Sequence, residues 1–241
     1  MLRELEQDIW VAEQPLRYFG LSIGARMTVI RREDEKLTVI SPIRVNKDMG
    51  TKLDSLGTVT DIIAPNLYHY FFANQFKARY PTATFWAAPG LKGKEPDLLI
   101  DKVIQPLENS STCGLETIFF EGFRTLGSGG FESLNECVFF HAASRTLILT
   151  DTAFHFDESS PLLTQFAFRV TGTYKQLSPS RLERIATTDK DNVRKSVQQI
   201  LRWDFERVVV AHGSIVERQG KERFRLVSVS FRHLFIQATE V

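Results

Sequence analysis

The stretch Val59-Thr60-Asp61-Ile62-Ile63-Ala64-Pro65-Asn66-Leu67-Tyr68-His69 decides how this chain folds. Val59 to Ala64 is an apolar, β-branched run of the kind that forms a buried strand. Pro65 ends it, because proline has no N–H to give to a ladder. Asn66 is placed to cap a helix running to Tyr80, on which His69 shares a face with Ala73 and Phe76. Thr84-Phe85-Trp86-Ala87-Ala88 is then a second strand, closed by Pro89-Gly90. Strand, helix and strand in this order predict a βαβ crossover, and so an α/β fold with parallel strands.

Two other runs end as abruptly on an ionisable side chain. They are Leu147-Ile148-Leu149-Thr150-Asp151 and Val208-Val209-Val210-Ala211-His212-Gly213. In sheet-based α/β proteins, sites assemble where strands stop, so His69, Asp151 and His212 are candidates for one pocket. Two imidazoles and a carboxylate are the ligand set of a catalytic mononuclear zinc that keeps water in its fourth position. The same trio suits non-haem iron. Plainer readings stand beside this one: His69 as a packing histidine, Asp151 as a turn cap, His212 as a strand exit whose ring is satisfied locally.

Outward from these runs, Ile9–Ala12, Arg26–Arg31 and Lys36–Ile40 read as strands, the last two joined by the polar turn Arg32-Glu33-Asp34-Glu35. Val103-Ile104, Leu115–Phe120, Cys137–His141 and Thr146–Thr150 continue the pattern, with Ser144-Arg145 turning the final hairpin. Thr188-Asp189-Lys190-Asp191 opens a helix with a cap and an acidic first turn, and Val193, Val197 and Ile200 form its buried stripe. Arg207 to Ala211 is a further strand. Residues 219–236 fit a strand by alternation or a helix through Phe224, Val227, Phe231 and Leu234. Gly90–Asp97, Glu108–Gly114 and Leu126–Gly130 read as loops inside one domain spanning residues 1–241. Leu126-Gly127-Ser128-Gly129-Gly130 lacks the Lys-Ser/Thr and the preceding buried strand of a phosphate loop.

Strand alternation sets Glu136, Val138 and Phe140 on one face and Cys137, Phe139 and His141 on the other. Glu136 and His141 therefore cannot share a pocket. Cys137 and His141 face one way but lie ~13 Å apart, too far for a nucleophile and its base. His155 and His233 read as surface or packing residues.

Composition narrows the function classes. An apolar fraction of 43% and a charged fraction of 24% are those of an ordinary globular chain. Thirty Lys and Arg against 29 Asp and Glu leave a charge of +1, with no basic excess for nucleic acid or an anionic membrane. No apolar run approaches the ~20 residues of a membrane span, and the acidic first residues are unlike a signal peptide. Cys113 and Cys137 make neither a C-x-x-C pair nor a disulfide framework, so a cytoplasmic setting is expected.

The order of elements resembles the metallo-β-lactamase superfamily. Tyr18-Phe19-Gly20…Gly24-Ala25-Arg26-Met27-Thr28-Val29 is similar to an uncharacterised subgroup of it found in bacteria and plants. Ala64-Pro65-Asn66…His69, Phe140-His141…Ser144-Arg145-Thr146-Leu147 and Trp203-Asp204-Phe205…Ala211-His212-Gly213 extend the match, which runs from Ile9 to Gly213. The resemblance implies an αββα sandwich of two mixed β-sheets flanked by helices. It also implies that Asp151 matches the family's metal-bridging aspartate and His212 its last ligand.

The chain departs from the family at the H-x-H-x-D-H loop, where Asn66-Leu67-Tyr68-His69-Tyr70-Phe71 keeps one histidine and no aspartate. The family's next ligand histidine lies about eighteen residues before the bridging aspartate. Here that position falls near Ser133, with Glu132, Asn135 and Glu136 around it and no histidine. The resemblance thus implies a reduced site holding at most one Zn or Fe ion, with His69 as a displaced ligand.

Two functions follow from different classes. One is a metal-dependent hydrolase acting on a small molecule, an ester, thioester, lactone or phosphoester. Asn66, Tyr68 or Glu136 would orient the substrate or shuttle a proton. The other is a non-catalytic binding or interaction protein that keeps the fold and has lost the metal. Tyr68, Tyr70, Phe71 and Phe72 would then fill the vacated space or bind an apolar ligand. In either case these rings should desolvate His69 and keep it neutral.

Overall fold

The structure is a computed structural model that describes residues 2–32, 34–107, 110–127 and 129–231. The chain opens with β1 (Arg3–Glu6), β2 (Ile9–Gln14), the short strands β3 (Arg17–Tyr18) and β4 (Leu21–Ser22), then β5 (Ala25–Arg31) and β6 (Lys36–Ile40). Helix α1 (Lys47–Leu56) leads to β7 (Thr58–Ala64), α2 (Ala73–Arg79), β8 (Thr84–Ala87), α3 (Leu91–Lys94) and β9 (Lys102–Val103). A second strand series follows: β10 (Ser110–Thr112), β11 (Leu115–Phe120), β12 (Arg124–Gly127), β13 (Gly130–Ser133), β14 (Glu136–His141) and β15 (Thr146–Ile148). The last elements are α4 (Leu162–Thr171), α5 (Arg181–Ala186), α6 (Lys190–Ile200), β16 (Arg207–Val209) and α7 (Gly220–Ser230).

Two mixed sheets result. The first orders its strands β1-β2-β5-β6-β7-β8-β9 and turns from antiparallel to parallel at β6. The second runs β10-β11-β14-β15-β16 and is antiparallel except for its last pair. The crossover read from Val59 onward is present, with Asp61–Ala64 in parallel register beside Thr84–Ala87.

Strand alternation then sorts the apolar side chains into three layers. Ile30 of β5, Ile63 of β7, Phe139 of β14 and Ile148 of β15 meet between the sheets. Met27, Ile62 and Phe85 point outward from the first sheet, under Leu53 of α1 and Phe76 of α2. Val138, Phe140 and Val208 point outward from the second, under Val193, Val197 and Ile200 of α6 and Phe224 of α7. Helix, sheet, sheet, helix is the αββα sandwich. At ~1.5–3 kcal/mol for each fully buried large aliphatic or aromatic side chain, these layers are the main source of its stability.

Several local readings are corrected. The helix expected from Asn66 starts only at Ala73, after Phe72. Asn66 Oδ1 does accept the N–H groups of Tyr68 and His69, at 2.8 and 2.9 Å, but these close a tight turn instead of launching a helix. His69 thus sits on that turn and not on a helical face. Leu126 and Gly127 end β12 and Gly130 opens β13, its paired strand, and Gly90–Asp97 contains α3. Residues 220–230 are helical because Phe224 and Val227 pack into the layer over the second sheet. Leu234 and His233 lie outside the described residues. Asp189 caps α6 as read, accepting from the Asn192 N–H. Among the described residues no helix is long and apolar enough to cross a membrane.

Candidate metal centre

Parallel strands end at the same edge of a sheet, and this brings two of the three ionisable residues together. Ile148 pairs with Val209 across β15 and β16, so Asp151 and His212 lie three residues beyond the same rung. The third arrives from the other sheet, where β7 ends at Ala64 and the Asn66 turn presents His69. His69 Nε2 lies 3.1 Å from Asp151 Oδ2, and His212 Nε2 lies 3.2 Å from Asp151 Oδ1. The imidazole centroids are 5.1 Å apart. One donor atom from each residue falls within 4.8 Å of the others.

The far nitrogens of both rings are committed. His212 Nδ1 is 2.5 Å from the Gly24 carbonyl oxygen, which can only accept, so Nδ1 carries the hydrogen. His69 Nδ1 is 2.7 Å from Ser41 Oγ. That hydroxyl also lies 3.1 Å from the Arg26 carbonyl, and when its one hydrogen goes there His69 Nδ1 is the donor as well. Both Nε2 atoms are then left facing a carboxylate oxygen. Lone pair against lone pair at this distance is repulsive unless a proton or a cation lies between them. This is the outer-sphere arrangement that fixes metal-ligating histidines.

The electrostatics follow from this packing. Burial would raise the Asp151 carboxyl, but His69 and His212 outweigh it and hold the group well below the usual carboxylate range. Burial pulls the His69 imidazole down, as expected. The Asp151 carboxylate and the charge of Glu136 more than compensate, so its affinity for a proton is raised. Desolvation of His69 is real, as expected, but the adjacent carboxylate outweighs it and sets the direction of the shift.

The residues expected to do proton or substrate work are placed differently. Asn66 is fully buried, and its Nδ2 donates to Asp151 Oδ2 at 2.8 Å and to Thr150 Oγ1 at 2.9 Å. Glu136 is also fully buried and accepts the backbone N–H groups of Thr150, Asp151 and Thr152 at 2.7, 2.7 and 2.9 Å. Burial and the neighbouring Asp151 charge raise its pKa, while those amides oppose the rise. Both side chains build the loop that carries Asp151, and neither reaches toward solvent. Tyr68 donates its hydroxyl to Glu132 at 2.8 Å, with Lys94 Nζ 3.8 Å from the ring centroid. Burial, then Glu132, raise the Tyr68 phenol.

The aromatic cluster does not move inward as a block. Tyr68 packs against the core over the second sheet, whereas Phe71 is 74% exposed and Tyr70 bonds to Glu95. His141 pairs with Ser144 at the other end of β14, and Cys137 points between the sheets. His155 bonds to the Ser214 carbonyl. A cleft of about 300 Å³ runs beside the His212 loop and is lined by Glu13, Gly24, Arg26, Ala211 and Gly213, without the three donor atoms. Gly24, Arg26 and Ser41 were not among the candidates from sequence. The only signal for Gly24 and Arg26 was the similarity carried by Gly24-Ala25-Arg26, and Ser41 had none.

The family model described as a domain of unknown function, DUF4336, matches residues 6–93. No curated protein matches the chain in sequence. Solved structures do match it in fold. A metallo-β-lactamase from Pontibacter korlensis superposes with a TM-score of 0.63 at 9% identity, over 97% of this chain and 99% of that one. One from Erythrobacter litoralis gives 0.65 at 10% identity, over 95% of each chain. FIM-1 from Pseudomonas aeruginosa, in its mono-zinc form, gives 0.63 at 10% identity, over 96% of this chain and 94% of that one. The two mixed sheets and their flanking helices are thus the metallo-β-lactamase fold.

Proposed function

We propose that this chain is a metal-dependent hydrolase with a single metal site made by His69 Nε2, Asp151 and His212 Nε2. The observation that carries the reading is the pair of Nε2 atoms held toward one carboxylate by Nδ1 bonds to Ser41 and Gly24. Two imidazoles and one carboxylate suit zinc or iron(II) and leave room for water. When bound, such an ion supplies Lewis acidity and lets water ionise near neutral pH. The chain's own residues supply the rest. Asn66 and Glu136 fix the Asp151 loop, and Tyr68, next to His69 in the chain, is held by Glu132. The reaction class is hydrolysis of an ester, thioester, lactone or phosphoester in a small molecule. The mono-zinc form of FIM-1 shows that a protein of this fold can hold one zinc.

Supporting features extend to the setting. Cys113 and Cys137 form no disulfide, which suits a reducing cytoplasm. The layer between the sheets draws on both halves of the chain, which suits one domain over residues 1–241.

A second reading has its own observation. The trio is nearly buried and already at hydrogen-bond distance, so protonated imidazoles could satisfy Asp151 with no metal. That would make the protein a non-catalytic binding module. Elemental analysis of protein purified without chelators separates the two. One zinc or iron per chain, lost in His69→Ala, supports the hydrolase. Two tightly held ions, or none even after zinc is supplied, would overturn it.

A further inference from the structure

We propose that Arg26, with Gly24 and Ser41, forms a bracket on the first sheet that positions both histidines of the trio. The ring orientations follow from hydrogen bonds alone, and only their bearing on a metal rests on the hydrolase reading. Three contacts leave one short segment of chain. The Gly24 carbonyl accepts from His212 Nδ1. The Arg26 carbonyl accepts from Ser41 Oγ, which lies 2.7 Å from His69 Nδ1. The Arg26 guanidinium crosses to the second sheet and donates to the carbonyls of Val210 and, at 2.6 Å, of Gly213. Those carbonyls flank Ala211-His212, and Gly213 N–H returns a bond to the Ile23 carbonyl at 3.1 Å.

The cost of this arrangement argues for its purpose. Arg26 is only 6% exposed, and burying a guanidinium is expensive unless its N–H groups are met. Glu13 meets one side at 2.9 Å, and main-chain carbonyls of the other sheet meet the rest. β5 needs no such help to stay in place, because it already pairs with β2 and β6 over most of its length. What Arg26 adds is a fixed separation between the sheets where the loop carries His212. The loop itself is closely fitted, since Gly213 has a φ of +80° and a Cβ there would collide with the His155 carbonyl. Without the bracket either imidazole could turn about its χ2 bond and aim Nδ1 at Asp151, which would misplace the lone pair a metal needs.

The test uses the full chain and the variants Arg26→Lys and Ser41→Ala. Nitrogen-15 imidazole spectra of the metal-free wild type at alkaline pH should place the proton on Nδ1 of both His69 and His212. Zinc affinity, read by competition with a chromophoric chelator, should fall ~10–100-fold in each variant while far-UV circular dichroism is unchanged. The visible bands of the cobalt(II) forms should change as well. Should Arg26→Lys fail to fold, Ser41→Ala decides, because it removes a single oxygen. Wild-type zinc affinity in both variants would overturn the bracket, as would protons on Nε2 in the wild type. Nδ1 protons in a wild type that binds neither zinc nor cobalt would leave the bracket standing and remove the hydrolase reading.

Discussion

Asn66 joins two parts of the site that lie far apart in the chain. Its carbonyl oxygen closes the turn that presents His69, and its amide nitrogen donates to Thr150 and Asp151, 84 and 85 residues away. Only an amide serves both ends, since a carboxylate has no donor to offer. Asn66→Asp would set a second carboxylate beside Asp151 in a fully buried position, with repulsion in place of a 2.8 Å bond. We expect a loss of about 3–5 kcal/mol in urea denaturation, the range for an unpaired buried charge, against a smaller loss in Asn66→Ala. A loss in Asn66→Asp no larger than that in Asn66→Ala would count against this, and a near-zero loss in Asn66→Asp would show that only the turn matters, because Asp keeps the oxygen that accepts the Tyr68 and His69 N–H groups. The ligand candidates were legible in sequence because each closes a run of apolar residues. Asn66's second task was not, because its partners are distant and nothing local to residue 66 predicts them. Glu136 shows a related limit: an acid near a candidate site is as suited to binding backbone amides as to moving protons, and only the fold shows that it accepts from Thr150, Asp151 and Thr152.

Capping shows what sequence can settle at the level of an element. Asp189 launches α6 because its acceptor and the amphipathic stripe it precedes agree. Asn66 precedes aromatic residues whose preferred contacts differ, and the turn won over the helix. α5 holds a more consequential cap, where Ser180 and Glu183 exchange side-chain and backbone bonds. Glu183 is buried, and burial pushes its pKa up to about 7, although the Ser180 and Thr125 bonds oppose this. The sign of the pH effect follows directly. A carboxyl whose folded pKa lies above its unfolded value of ~4.3 favours the folded state fully below that value. Its contribution is lost as pH rises through about 7. At ~1.4 kcal/mol for each pKa unit, the loss is about 4 kcal/mol. Chemical denaturation of wild type and Glu183→Gln at several pH values should therefore show the wild type losing stability relative to the variant between about pH 4 and pH 7. A constant difference across that window would mean that Glu183 ionises in the folded protein much as it does in the unfolded chain.

Across the whole molecule, the site lies on the seam between the two sheets. His69 comes from the half that builds the first sheet, and Asp151 and His212 come from the half that builds the second. Most of the strands and the βαβ unit were readable from periodicity, since each strand buries side chains by local alternation. The partition of those side chains into an inner and two outer layers was not, because it depends on which sheet faces which. That seam makes a definite prediction about cooperativity. Ile9, Ile30, Ile40 and Ile63 of the first sheet share one layer with Leu115, Phe139 and Ile148 of the second, so neither sheet can keep its inner face dry alone. Trp10 and Trp86 report on the first sheet, and Trp203, stacked on Phe140 at 5.4 Å, reports on the second. Single-tryptophan variants should give coincident denaturation curves, as one domain over residues 1–241 requires. Zinc should then move all of them together, by ~2.7 kcal/mol at a free concentration one hundred times its Kd. A Trp203 curve that zinc shifts while the Trp10 and Trp86 curves stay in place would separate the sheets into independent units. It would also place the metal on the second sheet alone, which His69 could not then help to hold.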